Sequence, residues 1–166
     1  MNRIAKFMKV SEAQFGREGY ENIVLPRRAT AGSAGYDFIA PFDFTLDIGE
    51  EIVIDTGIRA KIADGWVLVI LPRSGSGFKY GVRLANTAGV IDSDYFNADN
   101  EGHIKIKLVG ASKKYEVKAG TAFAQGIFLP YGITEDDDCT DERHGGFGST
   151  DAPPNMTSIF GDPIGR

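Results

Sequence analysis

Nowhere along the chain does an apolar pattern of 3.6-residue period persist long enough for a long helix, whereas short strand-like runs recur between turn-forming clusters. Segments 51–55 and 57–62 alternate roughly between apolar and polar residues, and Trp66 to Leu71 is continuously apolar, as a strand buried on both faces would be. Segment 103–109 alternates cleanly, which predicts Ile104, Ile106 and Leu108 on one face and His103, Lys105 and Lys107 on the other. Phe123 to Leu129 is apolar except for Gln125. Between these runs stand turn residues such as Ala63-Asp64-Gly65 and Ala119-Gly120. With 21 glycines and 7 prolines in 166 residues, about one residue in six against a usual one in eight, the chain is punctuated for short strands. Only Ser76 to Tyr80 reads as a short helical turn, and no internal repeat is present. The pattern predicts an all-β sandwich, jelly roll or barrel.

Length and charge narrow the function. A chain of 166 residues forms one domain with a conventional core. Its 18 basic and 23 acidic side chains give a net charge of −5, which argues against direct binding to a nucleic-acid backbone. A small anionic substrate would call for a metal ion to offset the charge. Cys139 is alone, so it forms neither an intrachain disulfide nor a cysteine-rich zinc site, and it reads as a free thiol in a reducing compartment. Residues 1–10 lack the apolar stretch of a signal peptide, and Trp66 to Leu71 falls far short of the ~18–20 residues of a membrane span. A soluble, cytoplasmic protein with no membrane association is expected. The acidic run 135–142 reads as a solvated linker without regular cation-ligand spacing. The expected organisation is a β domain over 1–142 and a glycine-rich arm and tail over 143–166.

Four segments are hard to explain by packing alone. Pro72-Arg73-Ser74-Gly75-Ser76-Gly77 follows the buried strand, and its small residues would let backbone N–H groups approach an anion beside the Arg73 charge. An ordinary Gly-Ser turn reads the same way. Gly89-Val90-Ile91-Asp92-Ser93-Asp94-Tyr95, six residues after Asn86 at its first aspartate, places Asp92 at a hairpin tip. Asp92 and Asp94 are either turn formers or include a general base that deprotonates water. Gln125 is a polar side chain in an apolar strand, where an unpaired amide costs roughly 1–3 kcal/mol, so it serves either the backbone or a ligand. Finally, Arg143-His144-Gly145-Gly146-Phe147-Gly148-Ser149-Thr150 combines an arginine, an aromatic ring and hydroxyls with dense glycine. Such a segment is either a plain tail or an arm that orders over a flat ring and phosphates.

Taken in order, these segments resemble the five signature motifs of the trimeric dUTP pyrophosphatases (dUTPases). The first is Ala34-Gly35-Tyr36-Asp37-Phe38-Ile39-Ala40, the second Pro72 to Gly75, the third Asn86 to Tyr95, the fourth Ala124-Gln125, and the fifth Gly145 to Thr150 with Arg143. The resemblance spans roughly residues 30–151 and implies a jelly-roll-like β-clip barrel in a homotrimer with three shared sites and a flexible C-terminal arm. It implies hydrolysis of dUTP to dUMP and pyrophosphate with Mg²⁺, which keeps uracil out of DNA and supplies dUMP for dTMP synthesis. By the same resemblance, Asp92 activates the attacking water. Asn86, Gly89 and Ile91 belong to the segment that holds uracil, and Tyr95 packs under deoxyribose, leaving no room for a 2′-hydroxyl. Arg73, Ser74, Gly75 and Gln125 hold phosphates. Arg143, Phe147, Gly148, Ser149 and Thr150 form the closing arm, and Asp37 faces the metal through water.

The chain departs from the family pattern at four places. Ser76-Gly77 replace a larger apolar residue, and Ala122 stands where an arginine is common. A single residue separates Arg143 from Gly145. About five extra residues follow Tyr95, over 96–101, and would lengthen the hairpin or alter a subunit contact. Two other readings share the fold or the ligand. A dCTP deaminase, alone or bifunctional with dUTPase activity, would need a differently placed catalytic glutamate in the core strands, for which Glu101 and Glu116 are the only later candidates before the acidic run. A dUTP-sensing regulator would contact a partner protein through the insertion or the tail after Asp151.

Overall fold

The computed structural model describes residues 2–141, Arg143 and Gly145. The apolar run predicted as a buried strand is β7 (Trp66–Pro72), and the segment around Gln125 is β12 (Ala122–Pro130). These two pair antiparallel over seven residues, from Ala124 opposite Pro72 to Pro130 opposite Trp66. They form the centre of a five-stranded sheet in the order β2 (Arg27–Arg28), β3 (Tyr36–Ile39), β12, β7, β9 (Gly89–Ile91). A second sheet packs β5 (Glu51–Asp55), β10 (Lys105–Val109) and β8 (Arg83–Leu84), with β10 in the middle. Two ribbons complete the layers: β1 (Ala5–Lys9) with β6 (Ile58–Ile62), and β4 (Phe44–Leu46) with β11 (Tyr115–Val117).

The alternation visible in the sequence sorts these strands into faces. Phe38, Leu68, Ile70, Ile91, Phe123 and Ala124 of the five-stranded sheet are all at most 5% exposed, and they meet Ile54, Leu84, Ile106 and Leu108 of the second sheet. Each large side chain so buried contributes roughly 1.5–3 kcal/mol, which makes the inter-sheet layer the main source of stability. The strands form one core between sheets, and the protein is all-β with a jelly-roll-like barrel, as the strand spacing predicts. Helical structure is confined to α1 (Glu12–Phe15), α2 (Ser74–Tyr80) and short 3₁₀ turns at Tyr20–Asn22 and Asp94–Asn97. The helix α2 begins two residues earlier than the apolar pattern suggested, because Ser76 turns inward and donates to the Arg73 carbonyl at 2.8 Å. Among the described residues no helix is long and apolar enough to cross a membrane.

Three expectations need correction. His103 does not share the solvent face of Lys105 and Lys107; it precedes β10 and is fully buried. Its Nε2 accepts the Gly57 N–H at 2.9 Å, a contact 46 residues away that no local pattern reports. Asp92 is not at a hairpin tip. β8 pairs with β10 and β9 pairs with β7, so the 86–88 turn is a corner between two sheets, and Asp92 follows the far end of β9. The extra residues after Tyr95 do not lengthen a hairpin either. They fold back through the 3₁₀ turn onto β6 and the start of α1, where Glu101 accepts from the Ser11 N–H at 2.8 Å and its hydroxyl at 2.6 Å. The arm expected over 143–166 lies outside the described residues except for Arg143 and Gly145.

Candidate active site

Two groups of motif residues assemble, and strand register fixes where each lies. The first surrounds the end of β7 that runs into α2. Asp37 stands opposite Gln125, and Gln125 opposite Leu71, so these three share one row and one face of the sheet. Arg73 reaches back to that row: its Nε is 3.0 Å from Asp37 Oδ1 and its Nη2 3.5 Å from Oδ2. Its Nη1 donates to the Ala122 carbonyl at 3.3 Å, a backbone contact available whatever side chain stands at 122. The Gln125 amide donates to the Pro72 carbonyl at 3.0 Å, which satisfies the polar group in its apolar strand. A Cβ on Gly35 would fall 2.8 Å from Gln125 Oε1, so glycine there leaves room for that amide. Ser74 and Gly75 open α2 and are exposed.

The second group gathers beyond the last residue of β9. Arg143 Nη2 donates to Asp92 Oδ2 at 2.8 Å, its Nε lies 3.1 Å from Asp94 Oδ1, and its guanidinium carbon is 5.7 Å from the centre of the Tyr95 ring. Tyr95 is only 4% exposed. Its hydroxyl donates to the His103 carbonyl at 2.9 Å and accepts from Asn100 Nδ2 at 2.7 Å. Burial pushes the phenol pKa of Tyr95 up, against the smaller opposing effect of the Asn100 hydrogen bond. Burial likewise holds the imidazole pKa of His103 below its ordinary value. With Nε2 accepting from Gly57, the neutral ring carries its proton on Nδ1, which has no hydrogen-bond partner among the described residues.

The two groups do not meet within one chain. Ile91 pairs with Leu68, so Asp92 falls level with Val67, whereas Gln125 is level with Leu71 two strands away. At usual strand spacings that is about 13 Å along β7 and about 10 Å across. Gln125 lies on the side of the sheet opposite the core, and Val90, two residues before Asp92, lies on that side too. Between the two groups that face carries Val67, Val69, Leu71, Val90 and Ile127, with Val90 62% exposed. Among the described residues β9 is also the last strand of its sheet, and its outward backbone groups have no strand partner there.

The remaining sequence candidates are placed as follows. Asn86 is exposed at the corner before β9, and Asp92 stands at that strand's other end. Gly89 packs against Ile70, where a Cβ would lie 3.2 Å from Ile70 Cβ, and Ile91 is buried in the core. Phe147, Gly148, Ser149 and Thr150 lie outside the described residues. Asp94, weighed beside Asp92 in the sequence, pairs with Arg143, and Asn100 and His103 join the site region without having been singled out as site residues. For Asn100 and His103, the only local signal was the polar Asn100-Glu101-Gly102 turn within an apparent insertion. Among the described residues no three His, Cys, Asp or Glu side chains converge to hold a metal ion. A single carboxylate, Asp37, beside an arginine suits Mg²⁺ that arrives on phosphate oxygens and keeps its waters rather than one caged by protein.

Comparison with known proteins agrees with the motif order. The profile of the dUTPase family matches residues 21–151. The deoxyuridine 5′-triphosphate nucleotidohydrolase of Lactococcus lactis is 39% identical over 139 residues, covering 80% of this chain and 93% of that protein. The enzyme of the same name from Shewanella baltica is 38% identical over 150 residues, covering 85% and 93%. The crystal structure of dUTPase from Streptococcus mutans superposes with a TM-score of 0.65 at 33% identity, covering 78% of this chain and 98% of that one. A dUTPase from a Staphylococcus aureus phage, at 20% identity and a TM-score of 0.63 over 84% and 97% of the two chains, shares the fold. Motif order, strand topology and these matches together place the chain in the dUTPase family.

Proposed function

We propose that this protein hydrolyses dUTP to dUMP and pyrophosphate, in homotrimers whose sites combine residues of different subunits. The observation that carries the reading is the separation of the two motif groups towards opposite ends of β7. A water activated by Asp92 must attack a phosphorus that the Arg73–Gln125 group helps to hold, and about 16 Å within one chain forbids this. A second copy that supplies the missing group removes the conflict. The half-exposed apolar strip between the groups gives that copy a surface to cover.

Within such a site Asp92 orients a water and takes its proton as the oxygen attacks the α-phosphorus. The bond from the α-phosphorus to the bridging oxygen breaks, and pyrophosphate leaves with that bond's electron pair. Arg73, Ser74, Gly75 and Gln125 bind phosphate oxygens, with Arg73 presented on Asp37. The outward edge of β9, with Asn86, Gly89 and Ile91 in the segment, offers backbone donors and acceptors to the uracil edge. Tyr95 packs under deoxyribose. Mg²⁺, when bound on the triphosphate with Asp37 reached through water, offsets the charge on substrate and leaving group. Arg143, Phe147, Gly148, Ser149 and Thr150 close over the nucleotide, so 143–166 acts as an arm on a single β domain. The Arg143 pair with Asp92 is partly exposed and worth on the order of 1 kcal/mol, so a triphosphate can draw the guanidinium away and free the carboxylate. The role follows from the reaction: removing dUTP keeps uracil out of DNA and provides dUMP for dTMP synthesis in the cytoplasm.

The test is pyrophosphate release from dUTP, dCTP, dTTP and UTP, with Mg²⁺ or chelator, for wild type and Asp92→Asn. Rapid turnover of dUTP alone, suppressed by chelation and by the substitution, is the expected result. Ammonia release from dCTP would move the protein to the deaminase branch. Tight dUTP binding without turnover would make it a dUTP-sensing regulator.

A further inference from the structure

The residues inserted after Tyr95 form a bracket around that ring. From the 3₁₀ turn the chain reverses: the Ala98 N–H donates to the Tyr95 carbonyl at 3.1 Å and the Glu101 N–H to the Ala98 carbonyl at 2.8 Å. Glu101 and Gly102 both take left-handed backbone angles, φ 58° and 67°. A Cβ on Gly102 would lie 2.6 Å from the Tyr95 carbonyl oxygen, so only glycine lets the chain return this closely. The reversal carries Asn100 over the end of the phenol. Its Nδ2 donates to Tyr95 Oη at 2.7 Å, while its Oδ1 accepts the Gly102 N–H at 3.2 Å and its carbonyl accepts the His103 N–H at 3.0 Å. Both ends of the amide are thereby engaged, and the phenol is held between Asn100 and the His103 carbonyl. The bracket is fastened from outside. Glu101 grips the N-terminal end of α1 through Ser11, and the Arg59 guanidinium lies 3.7 Å from the Phe96 ring centre while donating to the Phe96 carbonyl.

We infer that Asn100 is a positioning residue that sets the height of the Tyr95 ring and thereby the discrimination between deoxyribo- and ribonucleotides. The inference deepens the dUTPase reading and rests on it. A ring that must exclude one hydroxyl has to be fixed to a fraction of an ångström along its own axis. The two hydrogen bonds on Oη act along that axis, from a segment anchored elsewhere in the fold. Asn100 touches no reacting atom; it acts through Tyr95.

The experiment compares kcat/KM for dUTP and for UTP in wild type, Asn100→Ala, Tyr95→Phe and the double variant. A loss of folded enzyme lowers both values equally, so their ratio reports ring placement and is blind to a merely structural role. Asn100→Ala is expected to lower the dUTP-to-UTP ratio about tenfold, the effect of one buried hydrogen bond. In the Tyr95→Phe background, where Asn100 has no hydroxyl to hold, the same substitution is expected to leave the ratio unchanged. An active Asn100→Ala enzyme with the wild-type ratio overturns the inference. So does a further fall in the double variant as large as in the single one. Should Asn100→Ala fail to fold, Tyr95→Phe decides alone, since it removes the Asn100 bond together with the one to the His103 carbonyl and leaves the Asn100–Gly102 contact intact; a wild-type ratio there overturns the inference. A wild type that does not hydrolyse dUTP removes the family reading and this inference together, an outcome distinct from any change confined to the variants.

Discussion

His103 makes acid the condition under which this fold weakens by a known route. The imidazole is fully buried, with Nε2 accepting the Gly57 N–H and Nδ1 unpartnered among the described residues. A second proton would have to displace the Gly57 bond and place a charge inside the core. Asp55 and Glu101 favour that charge and Lys105 opposes it, but burial outweighs them, so the folded pKa lies below the ordinary 6.5. The unfolded chain therefore takes up the proton first as pH falls. The stabilisation is complete above about pH 6.5 and is lost below it at up to ~1.4 kcal/mol per unit, until the folded ring itself protonates. Between pH 6.5 and 5.0 the loss reaches up to ~2 kcal/mol. Urea denaturation at pH 7.5 and 5.0, at one fixed protein concentration, measures it in wild type and in His103→Gln, which can still accept from Gly57 but does not titrate. Subtracting the two acid losses cancels the carboxylates, and wild type is expected to lose more, by up to ~2 kcal/mol. Equal losses in the two proteins would refute the reasoning.

Gly102→Ala forces a β-carbon against the Tyr95 carbonyl in a left-handed conformation, and a destabilisation of roughly 1–3 kcal/mol is expected by urea titration. Ser11→Ala removes both the N-cap bond to Gln14 and a grip on Glu101, and about 1–2 kcal/mol should be lost in the same assay. Arg143→Ala should change the stability of the nucleotide-free protein by only about 1 kcal/mol, because both carboxylates it pairs with are about half exposed and Arg143 itself is partly so. On the proposed closing-arm role it should nevertheless lower kcat/KM for dUTP roughly 10- to 100-fold, the effect of losing a charge-assisted phosphate contact, as steady-state kinetics would report. Chelation of Mg²⁺ should abolish turnover yet leave the urea midpoint unmoved, since no described cluster of side chains cages a metal.

The strands were legible because burial imposes its own period: β5, β6, β7, β10 and β12 stand where the apolar runs stood. That same periodicity misplaced His103. Alternation extrapolated two residues ahead of β10 puts it beside Lys105, but Gly102 turns the chain and sends the ring inward to the Gly57 amide. Asp92 read as a hairpin tip because turn residues after a short strand do not say whether that strand pairs with the next segment or, as β9 does with β7, with an earlier one. Site candidates were legible as motifs, yet the sequence could not show that Asp37, Arg73 and Gln125 gather at one end of β7 and Asp92, Tyr95 and Arg143 at the other. The bracket on Tyr95 was least legible, for it depends on Glu101 meeting Ser11 across 90 residues.

The division of motif residues between the two ends of β7 also makes the enzyme open to genetic complementation. On the shared-site reading, a chain disabled at Asp92 and a chain disabled at Arg73 are each inactive in pure assemblies. Unfolded together and refolded, they would form mixed trimers in which about one site in four takes its intact aspartate from one chain and its intact arginine from another. Activity arising from two dead parents would be the signature of a site that belongs to no single polypeptide.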